Sequence, residues 1–363
     1  MTAHRITSPD EIALTDLCAA LAANAGDLDI RPRWPTEQLQ LCADYGVFEW
    51  FLETRWGGQS WNEEQIVRGY LALSAACLTT TFIITQRTGA CRRIAGCENE
   101  PLKKRLLPGL ASGALFATVG ISHLTTSRRH LAKPALTATA VSGGFRLDGL
   151  SPWVTGAAAS DTLVLAATLL ENGDPTDRQL LVALPTGSPG LTVDQPLPLV
   201  GVSASCTGPV RLNGVFASND TLIAGPVPNV MTSGLGASTG GHETSTLAIG
   251  LADAAIEFVT AEAKKRDDLE PPATALRAEH RTLRDDLLAI SQGQNVCSKE
   301  SLRGRANSLA LRASQAALTA AKGSGYVLGH PAGRWCREAL FFLVWSCPQP
   351  VANANLCELA GIE

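Results

Sequence analysis

Charged side chains are scarce, with Asp, Glu, Lys and Arg making up 18% of the 363 residues. The 30 basic against 34 acidic groups leave a net charge of −4. That balance offers no basic field to a phosphodiester backbone and argues against a nucleic-acid partner. No run approaches the roughly 18 to 20 apolar residues that span a bilayer. The start, Met1-Thr2-Ala3-His4, has no apolar core behind basic residues, so no secretory signal is expected. Ten cysteines are scattered from Cys18 to Cys357 without a Cys-x-x-Cys pair. This argues against a zinc site or a stapled scaffold and suits free thiols in a cytoplasmic protein. There is no Walker loop and no His-Glu-x-x-His. Gly234-Leu235-Gly236 meets Thr239 where a dinucleotide fingerprint needs glycine, and Ser203 and Ser205 lack the glycines of a nucleophile elbow.

What is plentiful is apolar. A hydrophobic content of 45% over this length suits two or three domains with a sizeable core. Leu14, Leu17, Cys18 and Leu21 recur at helical spacing, and a second helix from Thr36 stops at Gly46. Asn62 reads as the N-cap of a third helix reaching Cys77, with Ile66, Val67, Tyr70 and Leu73 on one face. A short helix from Pro101 to Leu107 is expected to end at Pro108-Gly109. After Gly113 the pattern becomes extended: Phe116 to Ile121, Leu136 to Val141, a Gly143-Gly144 turn, Thr162 to Ala167, Gln179 to Leu184 and Val210 to Val215. From about Met231 helices return, with Leu247, Leu251, Ala255 and Phe258 on one stripe, then Arg277 to Ile290 and Arg305 to Lys322. The expected fold is α+β: a helical domain over 1–113, a β-barrel or sandwich domain over 114–225 and a helical bundle over 226–363.

Motifs spread along this α-β-α order resemble the acyl-CoA dehydrogenase superfamily. They are Arg55-Trp56-Gly57-Gly58, the stretch from Lys104 through Leu107-Pro108 to Gly113, Gly144 to Gly149, Trp153-Val154-Thr155-Gly156, Gly323-Ser324-Gly325-Tyr326, and Arg334 to Ala339. The resemblance implies an FAD-dependent oxidoreductase that is a homodimer or homotetramer, acts on an acyl-CoA or other thioester, and passes electrons to an unidentified acceptor. It places Ile121 and Ser122 at the pyrimidine end of the flavin, Trp153 beside the ring and Thr155 near N5. It gives Arg266 to the FAD of a neighbouring subunit. No metal site is implied.

The resemblance breaks at two places. Most of the family removes the α-proton of the thioester with a glutamate, and counting from Gly325 puts Ser346 there. A serine hydroxyl titrates far too high to be that base unaided, and no histidine lies nearby in sequence. Some members carry the base at the opening of the last helical domain, a position matching Gly240; Glu243, three residues on, is then the candidate base. The second break is Arg128, standing where the family contacts the pantetheine with serine; with Arg129 and His130 it is a candidate for meeting a phosphate or carboxylate. A flavin monooxygenase on the same scaffold needs no such base, and a non-catalytic member needs no site. Both stay open at the level of sequence.

Overall fold

The structure is a computed structural model and describes residues 4–125, 133–232 and 242–362. Five helices come first: α1 (Ile12–Ile30), α2 (Thr36–Asp44), α3 (Glu63–Ala76), α4 (Leu78–Gly96) and α5 (Glu100–Ser112). Asn62 caps α3 as expected: its side chain accepts from Gln65 N–H while the Gln65 side chain accepts from the Asn62 N–H, so two orphan donors are met at once. The helix expected to end at Pro108 continues. Leu106, Leu107, Leu110 and Ala111 all bury on the proline's flanks, and α5 stops only where Gly113 takes the left-handed conformation, φ +79°. Packing outweighs the bond that Pro108 cannot donate.

The middle of the chain is one mixed sheet with a four-residue helix beside it: β1 (Ala117–Gly120), α6 (Ser122–Thr125), β2 (Leu136–Val141), β3 (Gly144–Thr155), β4 (Thr162–Glu171), β5 (Asp174–Pro185), β6 (Leu191–Val193), β7 (Thr207–Ser218) and β8 (Leu222–Pro228). Its order is β6-β7-β3-β2-β4-β5-β8, with β1 lying parallel to β4. Gly143 makes the β2–β3 turn at φ +79°. β4 is buried on both faces, which is why it reads as an unbroken apolar run. Leu163, Leu165 and Ala167 face the sheet's own core, while Val164 and Ala166 face α4 and α5.

The remaining helices are α7 (Glu243–Ala263), α8 (Glu270–Ser291), α9 (Lys299–Ala321), α10 (Pro331–Leu340) and α11 (Gln349–Ala360). Leu247, Leu251 and Ala255 of α7 join Leu73 of α3 and Leu309 of α9 in a single core, so the first and last helical segments share one interior. Among the described residues α7 alone is long and apolar enough to cross a bilayer, and it is the central helix of this core.

Candidate functional site

The close approach of β1 to β3 builds the site. A Cβ added to Gly120 would lie 2.6 Å from Ser151 Oγ and 2.9 Å from Val154 Cγ2, so only glycine lets the strands come this near. Ile121 and Ser122 follow Gly120, and Trp153 and Thr155 follow Ser151. The two pairs singled out in the sequence therefore meet at one edge. Three hydroxyls on this wall, Thr118 Oγ1, Ser122 Oγ and Ser151 Oγ, are buried without a hydrogen-bond partner among the described residues. Each such group costs about 1–3 kcal/mol unless something completes it. The Trp153 indole, two residues beyond Ser151 on β3, stands 44% exposed. Thr155 is buried, and its hydroxyl lies 2.9 Å from Thr207 Oγ1, which in turn lies 2.9 Å from Ser205 Oγ. The next residue, Gly156, has φ +61°, and a Cβ there would lie 2.2 Å from the Trp34 ring. Trp34 thus seats the end of β3 against the first helices.

Helix α4 packs on the other face of β1 and reaches from there to the two candidate base positions. Gly89 faces Val119 of β1. One turn on, Arg92 Nη1 lies 3.4 Å from Glu243 Oε1. The Arg93 guanidinium, which burial lowers to about 10, feels the Glu243 charge and donates to Gly89 O at 2.8 Å. At the other end Phe82 meets the edge of Trp345, 5.0 Å between centroids. With a rise of 1.5 Å per residue, the Glu243 contact lies about 5 Å along α4 from the β1 contact, and the Trp345 contact about 10 Å. Glu243 is the first residue of α7. Gly240 lies outside the described residues, as do Arg128, Arg129, His130, Gly234, Leu235 and Gly236.

Ser346 sits in a turn with φ +47°, left-handed and uncommon for serine. Arg303 holds this turn by donating to Phe342 O at 3.1 Å and Trp345 O at 3.0 Å, and Trp345 stacks on Phe341. Burial pushes the neighbouring Cys347 thiol up, with Arg303 opposing only in part, so Cys347 is not a ready nucleophile. Arg266 turns inward: its Nη2 donates to Ala320 O at the end of α9, 2.6 Å, and Glu262 lies 3.6 Å away. The sequence reading missed Thr207, the first residue of β7, and Ser205, in the short helical turn just before it. It also missed Glu63, Arg92 and His242, which only the tertiary fold gathers.

No family model matches the chain. It is 23% identical over 338 residues to the probable acyl-CoA dehydrogenase YngJ of Bacillus subtilis, covering 88% of each. The fold superposes on a glutaryl-CoA dehydrogenase of Mycobacterium smegmatis, solved in complex with FADH2, with a TM-score of 0.80 over 97% of this chain and 96% of that one at 16% identity. The chain has the fold of these acyl-CoA dehydrogenases and is similar to them in sequence. KijD3, solved with FMN and a dTDP-linked amino sugar, has a similar fold, with a TM-score of 0.73, 18% identity and coverage of 96% and 92%.

Proposed function

We propose that this protein is an FAD-dependent oxidoreductase that dehydrogenates an acyl thioester between its α and β carbons, using a proton acceptor other than the family's usual glutamate. The observation that carries the reading is the close approach of β1 to β3 at Gly120, which brings Ile121-Ser122 to the strand that carries the exposed Trp153 indole. Bound FAD would supply the two-electron acceptor. Ser122 and the backbone at Ile121 hold its polar edge, Thr155 is fixed by its hydroxyl neighbours, and Trp153 shields one side from water. Glu243 is the residue proposed to take the α-proton at its carboxylate. It lies nearer the β1 contact along α4 than the Ser346 turn does.

Purified protein mixed without oxygen with a panel of acyl-CoA thioesters should lose its oxidised-flavin absorbance with at least one of them. If none does, while externally reduced flavin on the protein traps oxygen, the dehydrogenase reading fails in favour of oxygen chemistry, to which Ser346 is no obstacle. Trp153→Ala should lower bound FAD at least tenfold at unchanged circular dichroism. Full flavin content in that variant would move the ring away from this wall.

A further inference from the structure

Glu63 of α3, Arg92 of α4, Glu243 of α7 and His242, the residue just before α7, converge where the three helices meet. Arg92 of α4 lies 3.4 Å from Glu243 Oε1 and 3.7 Å from Glu63 Oε2, with its own side chain only 15% exposed. Both separations are longer than a closed guanidinium–carboxylate bond, which forms at about 2.7–2.9 Å. Elsewhere in the chain Arg277 reaches Asp253 at 2.8 Å and Arg305 reaches Asp286 at 2.7 Å. Arg92 is therefore divided between two carboxylates, each the first residue of its helix. The far oxygen of Glu63 is held by His242, Nε2 to Oε1 at 2.9 Å. Of the described histidines it is the one with a carboxylate this close; His280 lies 3.7 Å from Asp253 and His4 3.9 Å from Glu11.

We propose that Arg92, Glu63 and His242 are positioning residues for Glu243: the charge on His242 decides which carboxylate Arg92 engages, and so when Glu243 is free to accept a proton. The inference rests on the role given to Glu243 above. With His242 protonated, Glu63 is compensated by the imidazolium, and Arg92 closes on Glu243 and occupies Oε1. With His242 neutral, Glu63 keeps its full charge and draws Arg92 away. The His242 bond and the Arg92 charge together hold the Glu63 carboxyl below its usual range, so it stays an anion through this change. The other groups facing the cluster keep one state near neutrality. Burial pushes the Tyr70 phenol and the Cys91 thiol up, and Arg93 at about 10 remains charged. Imidazole is the side chain suited to switch there.

The first test uses flavin-free protein. The Arg92 Nε–Hε resonance, assigned by its loss in Arg92→Lys, should move as pH is taken through neutrality and should stop moving in His242→Gln. The second uses FAD-loaded protein. Glu63→Gln should slow flavin reduction by acyl thioester at least tenfold and abolish its pH dependence, with flavin content unchanged; Glu63→Asp should restore part of both. An Arg92 resonance that ignores pH, or that titrates equally in His242→Gln, overturns the proposal. So does wild-type rate and pH profile in Glu63→Gln. If no thioester reduces the wild-type flavin, the functional reading fails by itself and the resonance still decides the network.

Discussion

Glu338→Gln should make the protein more stable at pH 8, by up to about 3 kcal/mol. Glu338 is 3% exposed on α10, and burial lifts its carboxyl from the usual 4.5 to about 7. The Arg334 guanidinium, 3.6 Å away, offsets only part of this, because the nearby Asp29 acts the other way and is itself engaged by Arg337. The folded protein therefore binds a proton that the unfolded chain releases. Its contribution to stability is fully present below about pH 4.5 and is lost as pH rises through about 7. Glutamine keeps the volume and the neutral form at every pH. Urea midpoints for the two proteins should agree near pH 4, separate progressively as pH rises to about 7, and stay apart above it, with the variant higher. A wild-type midpoint that does not fall over that interval would mean that Arg334 keeps the carboxylate charged.

Glu243→Gln should retain FAD and slow flavin reduction by roughly 10²–10⁴-fold, the range expected when a general base is removed. Glutamine preserves the shape and an acceptor for Arg92 but cannot take a proton. Anaerobic stopped-flow reduction with the best thioester of the panel makes the comparison, with bound flavin quantified in the same samples. Reduction at the wild-type rate would leave Glu243 as a helix-start carboxylate stabilised by the α7 dipole.

The fold was legible where local chemistry is strong. Asn62 with Gln65 marks a helix start, Gly143-Gly144 a hairpin, and the apolar run of β4 a strand buried on both sides. β6, only three residues long, was readable through the family likeness of Gly190 to Val193. β8 escaped notice because it runs through Gly225-Pro226 with breaks in its register and shows no clean alternation. The meeting of Ile121-Ser122 with Trp153-Thr155 was readable through the family likeness, whereas its cause, the bare Cα of Gly120, needed coordinates. The cluster around Arg92 has no signature in sequence. Glu63, Arg92 and His242 share no period, and each alone reads as a charge near a helix end. The left-handed turn at Ser346 was equally silent, since serine, unlike glycine, announces no positive φ.

The row of hydroxyls behind Trp153 has a polarity. Each link among Thr155, Thr207 and Ser205 can take its hydrogen from either side, and with Thr207 donating to one neighbour and accepting from the other the row points one way at a time. An acceptor placed at Thr155 makes Thr155 donate outward, Thr207 donate to Thr155 and Ser205 donate to Thr207. A donor in the same place reverses all three. A bound group that changed from acceptor to donor during turnover would be met by a concerted rotation of three protons, with no side chain leaving its rotamer. Removing the last hydroxyl, Ser205, would leave the row able to answer an acceptor but would leave the Thr207 hydrogen without an acceptor whenever Thr155 meets a donor.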